Sequence, residues 1–363
     1  MKNLLFFTSD FSIGISSLLT DQLIALNKSN INVIGIGGEN EQEQGLRNMI
    51  QSENIRLEII EGLDKHDNFN LLANKIKRII VNENIDIVHV QNNWQLALVY
   101  FVKTKLFFKK NFEIIYTIHG FRHNHPLKSK LAQVVIGSAL FLGANHIICM
   151  TKYLKNKFRI LSYKINLLPL GVKNDYFLDS FVSPNIDSLR LIFPAQFRRG
   201  KNQDKIIRAF AEFLNFTKDK KAVLTLPGNG PTLEEMKSLA KDLHISVQVN
   251  FPGFVSKDEI RNLYLDHNVA IVSSNSETFG QSIVEPFVLG RCVLSTPVGI
   301  APEIIINGEN GFIFKNESEL TERLIDLNKN KSLLISMGRN NYELRNQFKW
   351  ETITQQYKET FNL

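Results

Sequence analysis

Short apolar runs alternate with longer amphipathic ones along nearly the whole chain, and this alternation constrains the fold more than any other feature. Asn3–Phe7, Asn32–Ile36, Ile55–Ile60, Asp86–Val90, Glu113–Ile118 and His146–Met150 have the length and composition of strands. Between them apolar residues recur at helical spacing, as in Ile15–Asn27 and Asn70–Val81. Strand, helix, strand at this spacing predicts a parallel sheet covered on both faces.

The pattern weakens from Lys173 to Ser188, where Asp175, Asp179, Pro184, Asn185 and Asp187 interrupt it, and resumes at Leu189–Phe193. A second series follows: helix Asp204–Phe216, strand Ala222–Leu226, helix Thr232–Leu243, strand Val247–Phe251 and helix Lys257–Leu265. Strand Val269–Val272, helix Gln281–Leu289 and strand Arg291–Ser295 continue it. At 363 residues the chain is comfortable for two domains. The expected architecture is α/β, with two doubly wound, Rossmann-like parallel-sheet domains at 1–172 and 189–345. A linker at 173–188 joins them, and 346–363 forms a last helix. Ligands bind beyond the carboxyl ends of strands in such sheets, so the expected site is an interdomain cleft.

Several classes are excluded. Met1–Phe7 is too short for a signal-peptide core. No stretch reaches the roughly 18 apolar residues of a membrane helix; even Leu131–Leu142 is broken by Gln133 and Ser138. Cys149 and Cys292 form neither a disulfide framework nor a zinc pattern, which fits a reducing cytoplasm. The net charge of +7 gathers partly in Lys103, Lys105, Lys109 and Lys110 and in Lys152, Lys155, Lys157 and Arg159. Such clusters serve either as solvated helix faces or as attractors of phosphate or an anionic membrane surface. Nothing with the signature of a nucleic-acid binder accompanies them.

The most informative stretch runs from Ser273 to Pro286. It follows a strand and opens a helix, so Glu277 lies in the loop and Glu285 inside the helix. Backbone amides at Gly280, Gln281 and Ser282 stand at the helix N-terminus, where unpaired donors and the helix dipole favour a phosphate. A carboxylate within such a helix repels phosphate but accepts hydrogen bonds from the vicinal hydroxyls of a ribose, the role assigned to Glu285. Glu277 is placed to accept from sugar hydroxyls. Read alone, the two acids also fit ordinary helix-start carboxylates.

Glu277 and Glu285, with Phe279 and Gly280 between them, resemble the acidic signature of glycosyltransferase family 4, retaining enzymes of the two-domain GT-B type. Leu226–Pro231, with Gly228, resembles that family's Gly-rich turn, and Phe251–Val255, with Phe254 and Val255, its base-holding loop. Thr296–Ile304 and Asn307–Phe312 look like its closing loops. The resemblance adds Gln281, Ser282 and Ile283 to the donor-binding set. It also implies an Arg and a Lys after the first strand of the second domain that compensate the departing diphosphate without a metal. Lys201 matches the Lys. Gln196 occupies the Arg position, leaving Arg198 or Arg199 to reach the phosphates from a shifted loop.

The first half resembles the family at Gly14, where two glycines are common, at the pair His119–Gly120 beside the donor sugar, and at the Leu168–Val172 hinge, while 346–363, with Phe348, Trp350, Ile353 and Tyr357, resembles the helix that crosses back onto the first domain. A Gly at a strand-to-helix turn also fits plain turn chemistry, and a His at a strand end a structural role. His123 and His125 follow without a carboxylate at ligand spacing, so no metal and no cofactor is expected beyond the donor substrate. The resemblance implies retaining transfer of a hexose or N-acetylhexosamine from a nucleotide diphosphate sugar, a UDP-sugar, to a glycan or lipid-linked glycan. The implied setting is bacterial surface polysaccharide synthesis, with the basic first half against the anionic inner membrane face. Glu277, His119 and Lys201 are the implied catalytic residues. A nucleotide-sugar epimerase and a catalytically silent partner subunit are the alternatives.

Overall fold

The computed structural model describes residues 2–8, 13–39, 44–63, 68–119, 143–157 and 163–363. The chain divides into two compact units, Met1–Gly171 with Trp350–Leu363, and Val172–Lys349.

The first unit is built on a parallel sheet of β1 (Asn3–Phe7), β2 (Asn32–Gly37), β3 (Leu57–Ile59), β4 (Ile87–Val90), β5 (Glu113–Thr117), β6 (His146–Cys149) and β7 (Ile165–Leu167). Its strand order is β3-β2-β1-β4-β5-β6-β7. In register, Leu5 lies opposite Ile34 on one side and Val88 on the other. Leu5, Phe7, Val88 and Ile114 enter a core with Ile76, Val99 and Val102. Leu4, Phe6, Ile87 and Ile115 enter another with Leu19, Leu23, Tyr357 and Phe361. Successive strand residues thus bury on opposite faces, which is why these strands read as unbroken apolar runs. The strand expected across Ile55–Ile60 is shorter in the structure, because only Leu57–Ile59 pairs with β2 at the sheet edge. Helix Trp350–Phe361 belongs to this unit: the Trp350 ring fills the space a side chain on Gly171 would need, and Lys358 donates to the Ser29 carbonyl at 3.1 Å.

The second unit carries β8 (Arg190–Ile192), β9 (Val223–Thr225), β10 (Val249–Asn250), β11 (Val269–Val272), β12 (Cys292–Ser295) and β13 (Gly311–Ile313). All pair in parallel, in the order β10-β9-β8-β11-β12-β13. Helix Lys257–Asp266 begins with a capping box of Ser256 and Glu259, satisfying amides that the helix start leaves open.

The stretch 173–188, expected as a linker, is packed into this second unit. Tyr176 is buried. Tyr342 donates to the Leu178 carbonyl at 3.0 Å, Arg291 to Val182 at 2.8 Å and Asn268 to Asn185 at 2.8 Å. Buried donors elsewhere in the unit need these carbonyls, so the segment is fixed despite its loop-like composition.

Candidate functional site

Strand order reverses between β8 and β11, which lie side by side although far apart in sequence. A doubly wound sheet opens a crevice at such a point, beyond the strand ends. The two loops that leave β8 and β11 there are locked to one another. Asn202, at φ 53° and ψ 43°, donates to the Ser273 carbonyl at 2.7 Å and to Asn275 Oδ1 at 2.6 Å. Ser273 Oγ donates towards the carbonyls of Lys201 and Asn202 at 2.7 and 2.9 Å. The Asn275 amide reaches the Gly200 carbonyl at 2.9 Å.

This clasp brings Lys201 onto Glu277. Lys201 Nζ lies 2.5 Å from Glu277 Oε1, with side chains only 14% and 15% exposed. Ser274 Oγ donates to the same oxygen at 2.6 Å. Arg198 and Arg199 are exposed on the same loop, and neither has an acidic partner among the described residues. Gln196 is exposed too, and its carbonyl accepts from Gln203 at 3.1 Å. The crevice therefore presents one shielded ion pair and two unneutralised guanidinium groups.

Helix Gln281–Val288 starts at the rim of the crevice, with Gly280 as N-cap at φ 102° and no side-chain cap. A Cβ there would come within 2.7 Å of Ile283 Cδ1 at a φ that L side chains rarely adopt, so the position calls for glycine. Gln281 Nε2 is buried without a hydrogen-bond partner, and Ser282 is half-buried. Phe279 and Ile283 had been expected to line the donor site, but their side chains are in the core. Phe279 packs edge-on against Phe348 at 6.4 Å, and both residues are buried, because they occupy the apolar inner side of this turn.

Glu285 is half-buried in the same helix. It lies near the phenols of Tyr176 and Tyr264, both held well above the ordinary tyrosine range by burial first and by the Glu285 charge second. The Tyr264 hydroxyl is fully buried and makes no hydrogen bond.

The loops after β9 and β10 form the next wall. Gly228, at φ 139°, passes so close to the Ala195 carbonyl that any side chain would overlap it. Its amide donates to the Gly253 carbonyl at 2.7 Å, and Ala195 donates to Pro227 at 3.0 Å. Gly228, in the turn that resembles the family's Gly-rich one, is thus required by the approach of the β8 loop. Beyond it Phe254 is 80% exposed and Val255 half-buried, leaving an aromatic face free for a planar group.

In the first unit, His119 follows β5. Its Nε2 lies 2.9 Å from Gln91 Oε1, the arrangement in which Nε2 carries the proton. Gln91 follows the neighbouring strand β4, is buried, and its backbone N–H donates to Gln95 Oε1 at 2.8 Å. Gln91 Nε2 is buried without a partner. Gly14 is the second residue of helix Ile13–Lys28. Gly120, His123, His125 and Arg159 lie outside the described residues, as does the Lys157 side chain. Among the described residues, no group of three or more His, Cys, Asp or Glu side chains is arranged to hold a metal ion.

The sequence reading missed Gln91, Asn202, Ser274 and Tyr264. The polar run Gln91–Asn92–Asn93 directly after a strand was a usable signal. Nothing in the sequence pairs Asn202 with Ser273 or Tyr264 with Glu285.

Two family models match. Glycosyltransferase Family 4 covers residues 14–175 and Glycosyl transferases group 1 covers 180–344. The chain is 24% identical over 305 residues to the N-acetyl-alpha-D-glucosaminyl L-malate synthase of Bacillus anthracis, a match covering 79% of this chain and 77% of that one. It is 20% identical over 282 residues to the alpha-monoglucosyldiacylglycerol synthase of Acholeplasma laidlawii, covering 70% of each. The crystal structure of Anabaena HepE in complex with UDP and glucose shares the fold, at a TM-score of 0.80 and 17% identity over 100% of both chains.

Proposed function

The chain belongs to the group 1, family 4 glycosyltransferases of GT-B type, and from that premise we propose that its second unit binds a nucleotide diphosphate sugar at the β8/β11 crevice. The observation that carries this reading is the Lys201–Glu277 pair, set beside Arg198 and Arg199 at the switch point of the sheet. A diphosphate leaving group needs positive charge and amide donors where its own charge develops. Lys201, the two guanidinium groups and the open start of helix Gln281–Val288 supply both. Arg198 and Arg199 stand in for the Arg that Gln196 replaces.

The other roles follow from chemistry. Phe254 offers a ring to the nucleobase, Glu285 two acceptor oxygens to the ribose, and Glu277 an acceptor to the sugar. Gln281 Nε2 gains in the donor a partner that it lacks in the protein. With cations carrying the phosphate charge, the reaction calls for no metal. The acceptor is a glycan or a lipid-linked glycan bound by the first unit, and transfer retains the anomeric configuration, with the leaving phosphate oxygen helping to take the acceptor proton. The donor is a UDP-hexose or UDP-N-acetylhexosamine, a reading supported by the UDP in the HepE complex and the N-acetylglucosaminyl product of the Bacillus relative. Bacterial surface polysaccharide synthesis in the cytoplasm is the setting that fits such an acceptor.

Calorimetric titration with UDP, GDP and their sugars in the presence of EDTA tests this. Binding of one nucleotide series, unaffected by EDTA and weakened at least about tenfold by Lys201→Ala and by Glu285→Ala, is expected. Binding indifferent to both substitutions removes the basis of the site.

A further inference from the structure

Asn202 stands between the turn after β8 and helix Gln203–Thr217, at φ 53° and ψ 43°. An Asn in that place ordinarily accepts a hydrogen bond from the second or third backbone N–H of the helix it precedes. Here the side chain makes no such bond. It crosses to the loop after β11 instead, donating to the Ser273 carbonyl at 2.7 Å and to Asn275 Oδ1 at 2.6 Å. A side-chain amide has two N–H donors, so the protein itself uses both. Asn202 and Ser273 are buried, and the bonds between them are shielded from water.

The bonds that return from the β11 loop complete the turn. The Arg198 carbonyl accepts from the Lys201 backbone N–H at 2.9 Å, the Arg199 carbonyl from that of Asn202 at 3.3 Å and the Gly200 carbonyl from that of Asn275 at 2.9 Å. Ser273 Oγ, with one hydrogen to give, is shared between the Lys201 and Asn202 carbonyls at 2.7 and 2.9 Å. Each carbonyl of the turn that carries Arg198, Arg199 and Lys201 is thus engaged by a donor of the protein. Both members of the Lys201–Glu277 pair stand next to this clasp in sequence, Lys201 directly before Asn202 and Glu277 shortly after Asn275.

We propose that Asn202 is a positioning residue of the donor site, which through Ser273 and Asn275 sets Lys201 against Glu277 before a diphosphate arrives. This rests on the reading of the crevice as the diphosphate site and adds to it a residue that touches no substrate. A lysine is a point charge on a flexible stem, so fixing its backbone in advance leaves less to be ordered on binding. Glycine at 202 keeps the left-handed turn and loses the clasp. Aspartate tolerates the same φ but sets acceptor oxygens against the Ser273 carbonyl and Asn275 Oδ1.

Calorimetric titration with UDP or GDP, whichever the wild-type chain binds, tests this on Asn202→Gly, Asn202→Asp and Asn275→Ala. Asn202→Gly is expected to lose about fivefold to tenfold in affinity and Asn202→Asp more. Asn275 is exposed, so Asn275→Ala removes one arm of the clasp without opening the core and is expected to lose about threefold. A need for the backbone conformation alone would leave Gly and Asp at 202 equal to wild type. In the Lys201→Ala background, Asn202→Gly is expected to cost less than about twofold more, because the group it positions is gone; a general structural defect would keep its full cost there. Urea unfolding of each variant gives the folded fraction to which the affinities refer. Wild-type affinity in Asn202→Gly and Asn202→Asp, or losses that multiply in the double variant, overturns the proposal and leaves the diphosphate reading intact. Wild-type affinity in Lys201→Ala overturns that reading and the proposal with it.

Discussion

Lys201 Nζ sits 2.5 Å from Glu277 Oε1, and Ser274 donates to the same oxygen. The Lys201 ammonium is therefore held by the acid assigned to the sugar, so diphosphate and carboxylate compete for it. Removing either partner should give opposite binding phenotypes. Lys201→Ala is expected to weaken nucleoside diphosphate binding about tenfold, near 1.4 kcal/mol. Glu277→Gln should leave that affinity unchanged or raise it, while sugar transfer falls at least about tenfold. Titration with the free nucleotide and steady-state transfer assays separate the two; equal binding losses would contradict the assignment.

Phe254 is 80% exposed in a loop that Gly253 ties to Gly228. A ring this free contributes little to folding, so substitutions there report on the ligand. Phe254→Ala is expected to reduce nucleotide affinity by about 1 to 2 kcal/mol, the scale of stacking a base on an aromatic ring, with Phe254→Tyr near wild type and the thermal midpoint unchanged. A lower midpoint without an affinity change would make Phe254 a packing residue.

Gly228 behaves in the reverse way. Its missing Cβ is demanded by the Ala195 carbonyl and by φ of 139°, so Gly228→Ala should destabilise the second unit by about 2 to 3 kcal/mol. Urea unfolding measures this directly. Nucleotide affinity of the folded fraction should change less than it does in Lys201→Ala.

How much was legible depended on burial. Strands β1, β4, β11 and β12 are covered on both faces, so Leu4 through Phe7 and Val269 through Val272 appear as apolar runs that periodicity finds at once. Edge strands of three residues, such as β7 and β13, bury too little to leave that trace. At the site, Glu277 and Glu285 stand out as acids in a loop and helix that follow a strand, whereas Lys201 is singled out only by the resemblance to the family. The facing of Phe279 and Ile283 was not, since a loop sequence does not say which side of a turn packs inward. The His119–Gln91 bond joins residues 28 positions apart, neighbours only because β4 and β5 pair in parallel. The 173–188 stretch looked free because the donors that hold it, Arg291, Tyr342 and Asn268, lie far along the chain.

Each unit also contains a histidine that the fold keeps neutral. His89 is fully buried, with Nε2 at 2.7 Å from Thr117 Oγ1 and Nδ1 at 3.0 Å from the Tyr357 hydroxyl. Burial first, and the His119 charge second, lower its pKa to about 3. His267, bonded to Thr225 Oγ1 at 2.8 Å, is lowered to about 4, again chiefly by burial. Above an ordinary pKa of about 6.5 folded and unfolded chains are both neutral here, and the contribution to stability is complete. Below it the unfolded chain takes up protons that the folded one refuses, so stability falls as pH drops from about 6.5 towards 4. The slope approaches about 1.4 kcal/mol per pH unit for each histidine. Urea midpoints measured near neutrality and at about pH 5 should show this loss. His89→Gln should lower the neutral baseline, because Thr117 and Tyr357 lose a shaped partner, and flatten the acid limb for the first unit. A wild-type stability that is level across this range would show that neither ring resists protonation, and the network around His89 would need another account.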